Sequence, residues 1–430
     1  MIPGQIDTSP TKTTAPEVVL PFYLYAAFSF LVSAILLFHS SSAFTLHYFH
    51  PKILAITHLM ALGWGTMIIL GASHQLVPVL IEGKLYSNKL AYASFALAAV
   101  GIPLLVYGFY VFNMGAPAKW GGRLVLLAII AYLINSGMSI AKSKSESIHA
   151  LFVFTSIAWL FITAALGLLL VYNFTVNLLG RDSLHYLPLH VHTGLVGWFL
   201  MLVIGIASRL VPMFLISKYT NVRLLKWIFF LINAALLSFI LIFYFAKNTG
   251  YAFISWALLF LGIALFVRYC YCAFKQRIRK QVDAPMKISL LSVGMLLLPI
   301  VLLLLTIATI ATMQKENTAL SLSYGFLILF GWITAIILGM TFKTLPFIVW
   351  NKVYHQRSGT GKTPNPKDLF SNTAFVAMSI AHLLGLVFFT TGSLTSRVML
   401  LQTGSGFILA AAVLYCFNVL KVITHKPVIT

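Results

Sequence analysis

The chain has 430 residues, of which 60% are hydrophobic and only 9% charged, with a net charge of +21. A soluble domain carries about a quarter charged residues, so composition excludes a soluble globular protein and places the chain in a membrane. The excess of basic residues does not make it a nucleic-acid binder, because those residues sit between apolar runs.

Residues 1–19 are polar, with Pro3, Gly4, Pro10 and Pro16, and read as a flexible tail with no signal peptide. The remainder, 20–430, reads as one transmembrane domain. Apolar runs of the roughly 20 residues needed to cross a bilayer lie near 21–43, 53–80, 88–112, 122–141, 148–176, 188–216, 224–246, 250–274, 286–313, 319–350, 369–391 and 396–420. The expected fold is therefore all-α, with 12 spans. Of the Lys and Arg residues, 22 fall on the side of the termini and 7 on the other. The positive-inside rule then puts both termini in the cytoplasm, with the basic loops set against anionic lipid. The loop 356–368 contains Gly359-Thr-Gly361-Lys362-Thr363, but position 356 is Gln where a phosphate-binding loop needs glycine, and no strand-helix unit surrounds it. Cys270, Cys272 and Cys416 form neither a disulfide framework nor a zinc quartet.

A repeat runs through the chain. His58-Leu-Met-Ala-Leu-Gly63-Trp64 is followed by Gly71 and Pro78. His192-Thr-Gly-Leu-Val-Gly197-Trp198 is followed by Gly205 and Pro212, and Phe326-Leu-Ile-Leu-Phe-Gly331-Trp332 by Gly339 and Pro346. The constant spacing of 134 residues predicts three four-helix units, about 20–145, 146–280 and 281–420, arranged around a pseudo-threefold axis. Trp, Gly and Pro at seven-residue intervals form a seam where small residues admit neighbouring helices closely.

The repeat seam explains Trp64, Gly71 and Pro78, but not the histidines. Eight of the twelve, His39, His47, His50, His58, His185, His190, His192 and His382, map to the outer half, while His74, His149, His355 and His425 map to the cytoplasmic half. Ionisable groups in a membrane are costly and mark function, and neutral imidazole is the commonest metal ligand. His58 and His192 hold the same repeat position and hence the same depth, which favours ligation. His190 and His192 project about 200° apart, toward two different neighbours. His39 and His382 are further metal-ligand candidates, with hydrogen bonding across helices as the structural alternative. Lys52, Arg181 and His185 are candidates for a polar rim on the outer side.

Twelve spans in three units, a His-x-His pair and lone outer histidines resemble the haem–copper oxidase subunit I superfamily. The segments His58-Leu-Met-Ala-Leu-Gly-Trp and His74-Gln-Leu-Val-Pro-Val look most like its cbb-type and nitric-oxide-reductase-like branches. The resemblance implies a low-spin haem on His58 and a copper ligand at His190 or His192. It also implies a bacterial inner membrane and a cytochrome-type or other membrane subunit as partner. The chain departs from the pattern in span 7, residues 224–246, which lacks the adjacent histidines, and in span 10, where Tyr324 and Phe326 replace a His-x-His. The acidic residues all lie in loops, termini or helix ends, and repeat-equivalent Gln75, Arg209 and Lys343 read as anchors rather than a proton relay.

The expected function is haem b binding, with copper as a second metal, by a divergent member similar to the NnrS-like group. It would carry electrons or handle nitric oxide or dioxygen, with the site formed by His58 facing His192 (or His190). The alternatives are a terminal oxidase or nitric oxide reductase subunit with atypical ligands, and a cofactor-free transporter on the same scaffold, although Gly and Pro breaks in mid-helix are not prominent.

Overall fold

A computed structural model describes residues 14–143, 147–246, 248–354 and 363–427. His355 and the glycines of the 356–368 loop lie outside them. Twelve helices are long and apolar enough to cross a membrane: α1 Pro16–His39, α2 Pro51–Leu80, α3 Asn88–Tyr110, α4 Ala116–Ala141, α5 Ile148–Val176, α6 Ser183–Leu215, α7 Val222–Phe245, α8 Thr249–Lys275, α9 Ala284–Met313, α10 Thr318–Tyr354, α11 Asn372–Thr395 and α12 Val398–Ile423. Polar side chains set many of their starts. Ser87, Asp182, Asn221, Asp283, Asn317 and Ser371 each accept a backbone N–H of the first turn, which would otherwise have no partner in the helix.

Two boundaries differ from the sequence reading. α1 begins at Pro16, inside the expected tail, because proline suits the first helical position and Val18 and Val19 are buried in the bundle. α6 begins at Ser183 rather than near 188, since Asp182 caps it and Pro188 is carried inside the helix.

α2, α6 and α10 form the centre. Their membrane windows are 78%, 72% and 89% buried, against 28% for α7 and α8, so these three helices are walled by the other nine. The repeat motif lies on them, and its contacts recur in register. Trp64 of α2 donates its indole N–H to Thr334 Oγ1 of α10 at 3.1 Å, and Trp198 of α6 donates to Thr66 Oγ1 of α2 at 3.1 Å. Threonine 66 and threonine 334 are two repeats apart, whereas the intervening position is Leu200. The seam glycines face α1, α5 and α9. A Cβ on Gly71 would stand 2.6 Å from Phe22 Cβ, and one on Gly205 would stand 2.5 Å from Phe152 Cβ, while one on Gly339 would strike Ser289 and the Pro285 carbonyl. Close approach of α2 to α1, α6 to α5 and α10 to α9 therefore requires glycine, as expected of the seam.

The central helices are not regular. Each contains one π-helical stretch, Leu59–Thr66, Thr193–Leu200 and Leu327–Ile333, starting at the same repeat position. In the third, Thr334 Oγ1 donates to the Leu329 carbonyl five residues back, at 2.8 Å, satisfying a carbonyl in the widened turn. The sequence reading found no such breaks in mid-helix. Hydrophobic pattern carries no signal for them, and glycines 63, 65, 194, 197 and 331 are their local mark.

Thr66→Val is expected to strand the Trp198 indole N–H in the core. A buried donor left without a partner costs about 1–3 kcal/mol, so the apparent Tm of the detergent-solubilised protein should fall, as it should in Thr334→Val. Leu200→Val, which touches no such bond, should leave it nearly unchanged.

Candidate functional site

The face of the bundle opposite the termini carries the α1–α2, α5–α6 and α9–α10 connections. The first and last of these are joined by a hydrogen bond of 3.0 Å from Tyr48 Oη to Glu316 Oε2. Burial, and then the Glu316 carboxylate, push the Tyr48 hydroxyl up to about 12, so it stays protonated and able to donate. Below this latch lies a cavity of about 710 Å³, within the ~300–1,000 Å³ range of cofactor and ligand sites. His58, His190 and His192 all line it.

Helix geometry fixes how each ring presents itself. His58 donates Nδ1–H to the Leu54 carbonyl at 2.8 Å, one turn back, and His192 does the same to the Pro188 carbonyl at 2.8 Å. His190 reaches across to α5 and donates to the Thr163 carbonyl at 3.0 Å. A carbonyl can only accept, so in each neutral ring the proton is on Nδ1 and the lone pair on Nε2. This is how metal-binding histidines are commonly held, with one nitrogen tied to a carbonyl and the other free to ligate. Among the described residues, none of the three Nε2 atoms has a hydrogen-bond partner.

The rings form two pairs. His58 and His190 are nearly parallel, 16° apart, with centroids separated by 6.1 Å. His192 does not face His58. It pairs with Tyr324 of α10, at 24° and 6.2 Å. Both pairs join residues 132 apart in sequence, so α2 and α6 each offer their repeat-position ring to the residue two places before that position on the next central helix. The third helix of each unit adds a phenylalanine: Phe109 lies 4.5 Å from His58, and Phe239 lies 4.9 Å from His192. At the third position the pattern is filled instead of hollow, because Phe326 stacks on Phe389 at 4.1 Å and on Phe330 at 4.9 Å.

The remaining sequence candidates separate cleanly. His382 is buried and its Nε2 bonds the Phe330 carbonyl at 2.7 Å, so it ties α11 to α10 and does not line the cavity. His39 is exposed at the end of α1, beside Phe38, and does not line it either. Among the described residues no three His, Cys, Asp or Glu side chains converge as a metal group. The four suggested metal ligands His39, His190, His192 and His382 are thus not brought together, since helix packing uses one and the surface another. Of Lys52, Arg181 and His185, only His185 reaches the cavity.

With metal–nitrogen bonds of about 2 Å, a metal between two imidazoles that ligate end-on would hold their centroids roughly 6 Å apart, and the first pair has a centroid spacing of 6.1 Å. The walls are apolar, including Leu105, Val125, Leu168 and Val171. Gly167 opens room beside His190: a Cβ there would stand 2.6 Å from the ring's Cε1. Tyr324 and Gly167 were not recognised as site residues from sequence. The repeat offset of 132 carries a signal for Tyr324, and nothing local marks Gly167.

No protein-family model matches the chain, and no curated protein is significantly similar to it. The reading of the site therefore rests on its geometry.

On the face of the termini the polar groups serve packing. His149 Nδ1 bonds Ser208 Oγ at 2.9 Å, and Lys343 bonds Asp283 at 2.6 Å. Burial raises the Asp283 carboxyl, but the hydrogen bond and charge of Lys343, the Met286 amide and Arg279 outweigh it and hold the group below its ordinary value. Gln75 Oε1 is buried without a hydrogen-bond partner among the described residues, and so are both ring nitrogens of buried His74. His74→Leu should therefore raise the apparent Tm, because an unbonded buried polar group costs about 1–3 kcal/mol. An unchanged or lower melting point would show that the imidazole is satisfied in the folded protein.

Proposed function

We propose that this chain is an integral membrane haem protein that holds one haem b between His58 of α2 and His190 of α6 and carries electrons. The observation that supports this most strongly is the pair of near-parallel imidazoles 6.1 Å apart, each with Nδ1 tied to a backbone carbonyl. His58 and His190 would hold the haem, which would supply a one-electron redox centre suited to electron transfer. The chain's own residues orient the rings, keep bulk water away through the apolar walls, and offer His185 as a polar contact at the rim.

The reading keeps the resemblance to the haem–copper oxidase superfamily and its NnrS-like relatives as its ancestry, with ligands drawn from α2 and α6. Basic residues concentrated on the side of the termini support a multi-pass membrane protein with cytoplasmic ends, which would put the haem in the outer half, and the resemblance implies a bacterial inner membrane. Copper has no comparable support. One observation favours a second reading: three π-helical stretches at the centre are local irregularities of the kind that transporters place around a substrate.

Absorption spectroscopy of the purified protein separates the two. The haem reading expects a Soret band and a sharp reduced α-band, lost in His58→Ala and in His190→Ala and kept in His149→Ala. Each single-ligand variant that retains haem should gain a carbon monoxide shift absent from the parent. Gly167→Ala, which crowds the His190 ring, should weaken the α-band. A protein without a chromophore after expression with ample haem would favour the transporter, and loss of the band in His192→Ala but not His190→Ala would overturn the pairing.

A further inference from the structure

α4 starts on the face opposite the termini, and its first turns gather two cations at one corner of the bundle. Lys119 and Arg123 stand four residues apart, so they share a side of the helix. Both turn onto Tyr172, near the end of α5. The Lys119 ammonium lies 4.9 Å from the centre of the Tyr172 ring. The Arg123 guanidinium lies 5.5 Å from that centre and 4.6 Å from the centre of the Trp120 ring. Arg123 Nη2 also donates to Tyr172 Oη. Among the described residues, the rest of the guanidinium and the whole ammonium have no hydrogen-bond partner.

No carboxylate neutralises the pair. The acidic residues on this face are Asp182 and Glu316, and the first caps α6 while the second accepts from Tyr48. Ion pairs among the described residues join Arg279 and Lys343 to Asp283, and Lys352 to Glu17, all on the face of the termini. Like charges one turn apart repel, and long cationic side chains at a membrane edge ordinarily reach separately for water. Here both are drawn to one phenol ring. An anion between them turns their repulsion into two attractions.

The surroundings of the pair face lipid. Trp120, Leu127 and Ile134 recur every seven residues on one face of α4 and are 56%, 50% and 47% exposed, while Ile162 and Leu169 of α5 are each 44% exposed. The two helices touch closely, since a Cβ on Gly122 would stand 2.8 Å from Leu168 Cδ1. Arg123 lies about 10 Å along the axis from the start of α4, beside the exposed tryptophan that marks the membrane interface. An apolar strip thus descends from the two cations toward the membrane centre. A free anion matches only the top of this surface, whereas a phospholipid matches all of it.

We propose that this corner of α4 and α5 binds an anionic glycerophospholipid of the leaflet opposite the termini. Arg123 offers its free N–H groups to two phosphate oxygens, Lys119 adds a second charge, and the acyl chains lie along Leu127, Ile134 and Leu169. Phosphatidylglycerol brings one negative charge and no cation. Phosphatidylcholine adds a quaternary ammonium that both side chains repel, so the site distinguishes the two. The proposal is independent of any haem.

The test is native mass spectrometry of the full chain in detergent, titrated with dioleoyl phosphatidylglycerol or dioleoyl phosphatidylcholine. The first phosphatidylglycerol is expected to bind more tightly than phosphatidylcholine. Its affinity should fall about tenfold in Lys119→Gln and in Arg123→Gln, the loss of one charged contact to phosphate. Lys119 is half-exposed and makes no hydrogen bond, so its replacement leaves the fold intact and keeps the test decisive. Lys280→Gln, which removes a charge from the face of the termini, should bind like the parent. Equal affinity for the two lipids overturns the proposal, as does undiminished phosphatidylglycerol binding in both Lys119→Gln and Arg123→Gln. An equal loss in Lys280→Gln would show that affinity follows net charge and would also refute it. Displacement of the lipid by millimolar inorganic phosphate would assign the corner to a free anion instead.

Discussion

An imidazole in an apolar bundle can satisfy one nitrogen on a backbone carbonyl, and its other nitrogen is then left facing whatever lies ahead. That constraint organises the site. Helical backbone exhausts its own N–H groups, but each carbonyl keeps a second lone pair, so a histidine can bond one turn back without breaking the helix. His58 and His192 do this in identical register. His190 cannot share that carbonyl direction and instead bonds α5, which turns its ring toward α2. The two histidines of α6 consequently meet different neighbours, His58 of α2 and Tyr324 of α10.

The π-helical stretches and the tryptophan–threonine bonds fix the central helices that carry those rings. A π stretch begins immediately after each repeat-position ring and changes the direction in which the following side chains leave the helix. Trp64 and Trp198 then lock their helices to Thr334 and Thr66, each with less than 2% exposure. Buried donors of this kind have no water to fall back on in the interior of a membrane protein. The central helices are thus fixed below the cavity by bonds that are expensive to lose, which leaves the rings above free to be spaced by side-chain packing alone.

Much of this fold was legible because lipid imposes a strong rule on composition: spans must be apolar and about 20 residues long, and all twelve followed. The glycine seam was equally legible, since only small residues at a fixed interval admit helices so closely, and Phe22 and Phe152 occupy the space. The cluster of outer histidines located the site. Pairing within it was not legible, because angular offsets along a straight α-helix ignore the π stretches and cannot say which neighbour a ring meets. His382 shows the same limit from the other side: in sequence it resembles a ligand, whereas its Nε2 is already used by the Phe330 carbonyl. Proline also misled at both ends, marking Pro16 as tail and Pro188 as a start when each is carried within a helix.

The three contacts between central helices form a graded series. Between α2 and α6 two imidazoles face each other; between α6 and α10 an imidazole faces a phenol; the third repeat position holds Phe326, with Ile56 at the place that His190 and Tyr324 occupy in the other two. Polarity falls along the series, and at its end Phe326, Phe389, Phe330 and Phe44 pack against one another, with Phe44, Phe326 and Phe330 forming part of the cavity wall. An unpaired imidazole at that third place would lose solvation without gaining a partner, so an aromatic plug is the stable outcome wherever no ligand is held. Conversely, keeping His58, His190, His192 and Tyr324 around open space forfeits the dispersion that filling it would supply. Retention of polar rings at two positions of the cavity wall and an aromatic cluster at the third is the pattern expected if ligands, rather than packing, stabilise the first two.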